Sequence, residues 1–305
     1  MKRFLFFVFL VCLFFIVYTH RDDIVNFIIK DYIDRDNVVF GDANSYYKDY
    51  DYGFVQNTTS LFPKNRQDVL NIIYTTLNRG LDNVTFYCDY DECLSEVNDI
   101  AENSLYLSTI NNLVHPYNSY SNISFEMNNS GKVHINVSRI YSDSSIFMVN
   151  NRIKEITDSI ITDDMSTYDK ILAFHDYIVD HTVYDSSVSI NNQLSSGTNS
   201  NNAVGLLFEG KAICSGYSDV MAVFLNMYGV NNYKISSDEH IWNLVNIDGE
   251  WKHIDVTWDD PITSNGANIL LHDFFLISTD DLFIKESSFD KDNHQFDKNL
   301  YLEAM

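Results

Sequence analysis

The chain has 305 residues, of which 45% are hydrophobic and 14% aromatic, so it has the composition of a folded protein with a well-filled core. Its formal net charge is −23, which argues against nucleic-acid binding because that function needs a basic surface. The same acidity argues against adhesion of the main body to anionic lipid and indicates a soluble, self-repelling surface.

The N-terminus predicts a membrane-targeting segment. Lys2 and Arg3 precede an apolar run over residues 4–18. As a helix this run is about 22 Å long, shorter than a ~30 Å hydrocarbon core, and local bilayer thinning can cover the difference. Bulky residues occupy the place of a cleavage site, which favours an uncleaved signal-anchor over residues 1–20 rather than a cleaved signal peptide and a secreted protein. The basic flank stays cytoplasmic, so the rest is expected at the outer face of the membrane.

Residues 21–150 predict a small α/β region, and their pattern does not indicate its role. Apolar side chains at helical spacing, alternating segments and turn residues such as Gly80 mark its elements. The predicted elements are helices over residues 65–78 and 94–107, a strand over residues 84–88, and a β-hairpin formed by residues 122–127 and 132–141.

Neither the cysteines nor the acidic runs of the chain predict a metal site. Cys88 and Cys93 lie in a part expected outside the cytoplasm, where a disulfide can persist, but their spacing fits two free thiols equally well. Without a nearby His or a second Cys pair they do not make a zinc site. The acidic pairs within residues 89–91 and 290–292 lack the glycine and the terminal glutamate of an EF-hand loop. We therefore predict no metal and no cofactor.

Residues 151–305 are predicted to form a second, larger domain. It begins with helical stretches near residues 150–161 and 167–181, and His175 shares the apolar face of the second stretch. This placement indicates a packing histidine rather than a ligand. Residues 186–202 are rich in Ser, Asn and Gly and predict a long exposed loop, of the kind that often borders a functional site.

Cys214 is placed at the N-terminus of a predicted helix. Apolar residues repeat at helical spacing from Cys214 to Tyr228, and Gly229 ends the pattern. The N–H groups and the dipole of a helix N-terminus favour a thiolate, and the backbone N–H of Cys214 is placed to donate to an oxyanion. Gly210 and Gly216 flank the cysteine and permit a substrate backbone to approach closely. A small buried hydrophobic residue is the alternative interpretation of Cys214.

His240 and Asp255 are predicted to meet across a β-hairpin. Asp248-Gly249 suits a two-residue type I′ turn, and the resulting register makes His240 and Asp255 diagonal neighbours on one face. The carboxylate can then orient the imidazole ring and leave its other nitrogen for a thiol. A surface pair without a catalytic role is the alternative interpretation.

Two further residues of the hairpin, Trp242 and His253, share this face. His253 is a rival for the role of base, but its predicted position opposite Leu244 puts it further from the His240 end of the hairpin. Trp242 is predicted to pack and to form a wall of the site.

The motifs around these residues resemble those of transglutaminase-like cysteine enzymes of the bacterial, papain-like-fold type. The resembling part is roughly residues 165–290 and includes, in order, Asp176-Tyr177-Ile178 and residues 205–217, 240–243, 253–261 and 273–278. The resemblance implies an α+β fold with a papain-like, transglutaminase-like core, in which the helix that carries the cysteine packs on an antiparallel sheet. This core would follow the small α/β region and the N-terminal membrane helix.

The resemblance also implies roles for individual residues, with Cys214 as nucleophile, His240 as general base and Asp255 as the acid that orients it. Some relatives complete the oxyanion hole with a Trp or Gln upstream of the cysteine, whereas this chain has Phe208 at the papain-like Gln spacing. Tyr184 is the predicted substitute, because its hydroxyl can donate a hydrogen bond.

The predicted function is thiol-dependent acyl transfer or hydrolysis on protein or peptide amides, through a thioester intermediate. Water as acceptor gives a protease or amidase and a lysine amine gives a transglutaminase, and the residues do not choose between them. A protein or peptide substrate and a membrane contact through residues 4–18 are the expected partners. The alternative is a non-catalytic cell-surface module that holds a peptide or wall fragment in the same groove.

Overall fold

The computed structural model describes residues 2–21, 35, 37–191, 199–262, 269–288 and 292–305. Its first helix, α1 (Lys2–Thr19), has 18 residues, which give a length of about 27 Å, short of a ~30 Å hydrocarbon core. Among the described residues, no helix combines the length and the apolarity that crossing a membrane requires. The signal-anchor predicted to cross the membrane with residues 4–18 is therefore not supported.

The predicted small α/β region contains helices and an antiparallel sheet with the strand order β1-β3-β2. Its elements are α2 (Arg66–Asn78), β1 (Asn83–Tyr87), α3 (Cys93–Glu102), α4 (Ser104–Leu113), β2 (Tyr120–Met127) and β3 (Lys132–Arg139). The predicted helix stop is confirmed, since α2 ends just before Gly80, which has a φ of 67°. The predicted strand and hairpin are confirmed to within a few residues.

The stretch predicted as one helix over residues 94–107 is wrong, because it is divided into α3 and α4. Asn103 leaves the helical conformation, and its side chain accepts a hydrogen bond from the Tyr106 N–H and so caps α4. Cys88 and Cys93 form a disulfide with their Cα atoms 5.6 Å apart. Of the two possibilities that their spacing left open, a disulfide and two free thiols, the structure therefore has the disulfide.

The next segment leads through two long helices to the predicted loop. Its elements are α5 (Asp143–Ile160), α6 (Thr167–His181), β4 (Val183–Tyr184) and α7 (Ser186–Asn191). Helix α5 begins at Asp143 rather than near residue 150, because Ser142 caps it there. The prediction missed its first turns because most of their side chains are exposed and form no buried apolar stripe. The loop predicted over residues 186–202 contains α7, and residues 192–198 lie outside the described part of the chain.

The remaining elements place α8 against an antiparallel sheet of strand order β6-β7-β8-β9. They are β5 (Lys211–Ala212), α8 (Cys214–Met227), β6 (Asn232–Ser236), β7 (Ile241–Ile247), β8 (Glu250–Ile254), β9 (Phe275–Ile277) and α9 (Thr279–Ser288). The hairpin register is confirmed, since Ile247 pairs with Glu250 and Asp248 and Gly249 have φ of 53° and 89°. The predicted α+β class is confirmed, whereas β6 was not predicted.

The sheet is packed on both faces. Val245 and Ile254 belong to the apolar core that includes α8 and α6. Trp242 and Leu244, which alternate with Val245 along β7, belong to a second core that includes α2, α4 and β1–β3. Apolar packing therefore continues across residue 150, where the sequence predicts a domain boundary, and the N-terminal region covers the back of the sheet.

A buried ion pair fixes α8 against its neighbours. Asp219 of α8 accepts from Lys234 Nζ through Oδ1 and from the Tyr141 hydroxyl through Oδ2, at 2.6 Å in each case. All three side chains are buried. The Tyr141 oxygen in turn accepts from the Ala203 N–H at 2.8 Å. The network connects the helix that carries Cys214 to β6 and to the chain after β3.

We expect Asp219→Ala to lower the free energy of unfolding by about 3–5 kcal/mol, because it leaves the Lys234 ammonium buried without its carboxylate. Urea denaturation followed by circular dichroism measures the loss. The matched control is Asp158→Ala, which removes an exposed pair with Lys154 and should cost at most about 1 kcal/mol. Equal losses for the two variants would contradict the assignment.

Candidate active site

Cys214 is the first residue of α8, and Ile213 precedes it in an extended conformation. Its thiol is free and partly exposed, so the alternative interpretation as a buried hydrophobic residue does not apply. At this position the N–H groups of the first turn and the helix dipole stabilise negative charge on the sulfur.

Two glycines shape the chain around the cysteine. Gly210 has a φ of 65°, which a residue with a Cβ atom rarely adopts. At Gly216 a Cβ atom would lie 2.7 Å from the Ser200 carbonyl oxygen and 2.9 Å from the Cβ of Ala212. Gly216 therefore admits the protein's own backbone, which corrects the prediction that it makes room for a substrate.

Tyr184 is held beside the nucleophile segment by parallel strand pairing. It pairs with Ala212, two residues before Cys214, and the Asp185 N–H donates to the Ala212 carbonyl at 2.8 Å. Tyr184 also lines the same cleft as His240. Phe208, which occupies the papain-like Gln spacing, is exposed and has no donor to offer. The role of Tyr184 as an oxyanion donor stays a prediction.

His240 and Asp255 are in direct contact. The ring Nε2 lies 2.5 Å from Asp255 Oδ2, and the residues are 8% and 1% exposed, so the pair is not the surface pair of the alternative interpretation. Asp255 Oδ1 accepts from the backbone N–H groups of Thr257 and Trp258 at 3.0 and 3.2 Å. These bonds fix the orientation of the carboxylate and, through it, the orientation of the imidazole.

The Cys214 sulfur and the His240 ring interact electrostatically, and the sulfur helps to raise the pKa of the ring. Because Nε2 is committed to Asp255, Nδ1 is the ring nitrogen left for the sulfur. Burial by itself would lower the pKa of His240, but the Asp255 carboxylate and the Cys214 sulfur outweigh burial and raise the pKa to about 10. The surroundings therefore favour an imidazolium beside the sulfur at neutral pH.

Asp255 is ionised although it is buried. Burial raises the pKa of a carboxyl group, but the positive charge and hydrogen bond of His240 and the hydrogen bond of His294 outweigh this effect. The pKa of Asp255 consequently lies well below its ordinary value. A carboxylate in this state can hold the positive charge that His240 carries.

The rival base, His253, is excluded by its contacts. Its Nδ1 accepts from Trp242 Nε1 at 2.9 Å, and its Nε2 lies 3.0 Å from the Thr279 hydroxyl. Burial and the nearby His294 lower the pKa of His253 to about 3, so the ring is neutral and both of its nitrogens have structural partners.

Trp242 packs behind His240 and is not among the residues that line the cleft. Its indole ring stacks on the His240 ring at a centroid distance of 5.6 Å and an interplanar angle of 13°. The indole nitrogen has one N–H, which is donated to His253. The side chain is 1% exposed, so it supports the base from within the protein.

A cleft of about 480 Å³ opens beside His240. Tyr184, Trp258 and Asp260 are among the residues that line it. Asp260 accepts from the Tyr217 hydroxyl at 2.5 Å, and partial burial raises its pKa to about 6. The cleft is large enough for a side chain and a short stretch of backbone, as an amide substrate requires.

The structure adds two residues that the sequence analysis missed, His294 and Glu286. His294 Nε2 lies 2.8 Å from Asp255 Oδ2, and Nδ1 lies 3.1 Å from Glu286 Oε1. Both residues are at most 1% exposed. No local pattern marks them, because His294 stands in a polar stretch 39 residues beyond Asp255 and reaches the site only through the tertiary fold.

Two groups in the described part of the chain have side chains close enough to hold a metal ion. They are His240 with Asp255 and His294, and His175 with Asp176 and His272. In both groups the nitrogen–oxygen separations of 2.5–3.2 Å are hydrogen-bond distances. The ring nitrogens that face these carboxylates are thus at hydrogen-bonding distance from them. His175, which was predicted to be a packing histidine, is fully buried. In the acidic pair within residues 290–292, position 290 lies outside the described residues.

The comparisons with known proteins agree with this geometry at the level of the family. Residues 154–256 match the family model described as the transglutaminase-like superfamily. They include Cys214, His240 and Asp255, so this part of the chain is similar to the transglutaminase-like superfamily. No curated protein matches the chain.

Two similar solved structures are distant. One is named a TGase, with 18% identity and a TM-score of 0.36 over 61% of this chain and 52% of that chain. The other is named as a candidate cysteine protease from Cytophaga hutchinsonii, with 13% identity and a TM-score of 0.28 over 49% of this chain and 65% of that chain. This chain therefore spans about half the length of the first structure. The similarity to the transglutaminase-like superfamily rests on the family match over residues 154–256 and not on these structures.

We expect Asp255→Asn to lower the pKa of His240 below about 10, because the negative charge that offsets the burial of the ring is removed. NMR titration of the His240 ring measures this pKa directly. The pKa of His240 should fall because burial favours the neutral ring, whereas the Asp255 carboxylate, which the variant lacks, favours the charged ring. An unchanged pKa in the variant would show that another group holds the imidazolium.

Proposed function

We propose that the chain is a thiol acyl-transfer enzyme that acts on carboxamide or peptide bonds of proteins and peptides. The observation that carries this proposal is the series Cys214–His240–Asp255, in which a partly exposed thiol at a helix N-terminus interacts electrostatically with a buried imidazole that is held by a buried carboxylate. A thiol needs a base, and the base needs an orienting partner, for nucleophilic catalysis.

In the proposed reaction the Cys214 sulfur, as the thiolate, attacks the carbonyl carbon of the amide. His240 then gives its proton to the departing nitrogen, so that ammonia or an amine leaves and a thioester with Cys214 remains. Water or a lysine amine attacks the thioester, and His240 accepts a proton from it. Asp255 stays ionised throughout and holds the ring in position.

The developing oxyanion needs donors directed at the carbonyl oxygen. We propose the backbone N–H of Cys214, at the first turn of α8, as one donor. The Tyr184 hydroxyl is the proposed second donor, because strand pairing with Ala212 holds this residue next to the nucleophile segment and in the same cleft. Tyr184 would replace the side-chain donor that Phe208 does not supply.

We further propose that this domain works outside the reducing cytoplasm. The Cys88–Cys93 disulfide supports this location, because such bonds persist in oxidising compartments. Compartment fractionation with thiol-reactive probes tests the proposal, since in the native protein these two cysteines should be labelled only after reduction. Labelling without reduction would contradict it.

Replacement of Cys214 tests the nucleophile. We expect Cys214→Ala to lower the rate of ammonia or amine release from carboxamide and peptide substrates by at least ~10³-fold, because no other group can form the thioester. Mass spectrometry of the wild-type protein should detect the acyl adduct on the Cys214 peptide. A variant that keeps full activity would end the proposal.

Competition between water and an amine tests which acceptor the enzyme uses. A transglutaminase should transfer the acyl group to a labelled primary amine, whereas a protease or amidase should release free acid at the same rate with and without the amine. The amount of label incorporated and of ammonia released measures the two products. Tyr184→Phe serves as a second variant, and we expect it to slow both outcomes together, since the oxyanion precedes the choice of acceptor.

The non-catalytic alternative gives a different result in the same experiments. A module that only holds a peptide in this groove should form no thioester and should bind equally well after Cys214→Ala. Tight peptide binding without any acyl adduct on Cys214 would favour that alternative over the enzyme.

A further inference from the structure

The carboxylate that orients the proposed base has a second imidazole bound to the same oxygen. Asp255 Oδ2 lies 2.5 Å from His240 Nε2 and 2.8 Å from His294 Nε2. The two rings meet nearly at right angles, with centroids 5.2 Å apart and an interplanar angle of 89°. Since an ionised carboxylate only accepts, both Nε2 atoms must carry a hydrogen.

The other side of His294 faces a second buried carboxyl group. Glu286 Oε1 accepts from the backbone N–H of His294 at 2.7 Å and lies 3.1 Å from its Nδ1. Glu286 is 1% exposed, and its Oε2 has no hydrogen-bond partner. His294 thus lies between two buried carboxyl groups, with one ring nitrogen facing each of them.

Aromatic packing and a backbone connection hold His294 in this place. The ring lies against Phe274 at 5.3 Å and an interplanar angle of 16°, and against the edge of Trp242 at 4.7 Å. One residue earlier, the Asn293 carbonyl accepts from the Ser237 hydroxyl, whose oxygen accepts from the His240 N–H. The segment that carries His294 is thereby connected to the base directly as well as through Asp255.

We propose that His294, held by Glu286, is a positioning residue for the proposed Cys214–His240–Asp255 site. It donates to Asp255 so that the carboxylate keeps the orientation that His240 needs, and Glu286 fixes the opposite side of its ring. This inference rests on the proposed function. It predicts that the orientation of Asp255 depends on the N–H that His294 donates, and not on the presence of an imidazole ring.

The charged and titratable groups around His294 determine whether its replacement makes the Cys214 thiolate form at higher or at lower pH. They are Asp255, His240, His253 and Glu286. Loss of the N–H to Asp255 leaves one lone pair of the buried carboxylate without its donor, so the carboxylate is no longer fixed in the orientation that holds His240 beside the sulfur. The Cys214 thiolate, which depends on that charged ring, should then form only at higher pH.

Two substitutions separate the two sides of the ring. The side-chain amide of His294→Gln stands near the place of Nε2 and keeps a donor for Asp255. The amide of His294→Asn stands near the place of Nδ1, so it keeps the contact with Glu286 and loses the contact with Asp255. The two variants are similar in size and polarity, and circular dichroism and thermal unfolding show whether each is folded.

The readout is the rate at which iodoacetamide alkylates Cys214 as a function of pH, followed by mass spectrometry of the Cys214 peptide. We expect the midpoint of the alkylation profile of His294→Asn to lie about one unit above that of wild type, so that alkylation is about tenfold slower at a pH below both midpoints. We expect His294→Gln to remain within about threefold of wild type. Thermal stability alone does not move this midpoint.

The outcomes distinguish the two proposals. If the wild-type thiol is alkylated only as an ordinary cysteine with a pKa near ~8.5 is, the proposed function fails before His294 is considered. If the wild-type thiol reacts in the acidic range and the two variants have equal midpoints, the proposed function stands and the role of His294 is overturned. Should His294→Asn not fold, a His294→Gln midpoint more than about one unit above wild type overturns the inference, because that variant keeps the donor.

Discussion

The site depends on one buried carboxylate. Asp255 is 1% exposed and ionised, and an isolated charge at such a position is strongly unfavourable. Its two oxygens accept from two backbone N–H groups and two imidazole rings, which together satisfy it. Each of these donors is thereby fixed in direction, and one of them is the proposed base. The same interactions that make the burial of Asp255 tolerable also aim His240 at the sulfur.

The N-terminal region contributes to this arrangement through the sheet. Trp242 and Phe274, which pack around His240 and His294, belong to the core formed with α2, α4 and β1–β3. Removal of water from this side lowers the local dielectric, which strengthens the interaction between Asp255 and the rings. The region that the sequence analysis left without a role therefore encloses the polar network from behind, while the cleft beside Tyr184 stays open to a substrate.

Features set by local sequence could be predicted, and features set by the tertiary path could not. The Asp248-Gly249 turn fixes the register of the hairpin, and that register directs His240 toward Asp255 just beyond the last strand pair, Asn243–Ile254. The placement of Cys214 follows equally from the apolar period of α8. By contrast, His294 shows no periodicity and reaches Asp255 from beyond α9, so only the folded chain reveals it. The division between α3 and α4 was missed because a single capping residue, Asn103, outweighs an apolar pattern that continues through it.

Three histidines surround Trp242, and their surroundings rather than their residue type assign their roles. His253 accepts the indole N–H and is buried without a carboxylate, so its pKa falls to about 3 and it is a neutral packing residue. His294 lies between Asp255 and Glu286 with no access to solvent, and it has no route to a substrate. Of the three, only His240 has a carboxylate on one nitrogen, an electrostatic interaction with the Cys214 sulfur and an open cleft beside it. A general base needs that combination, since it must hold a proton and also exchange it with the reacting groups.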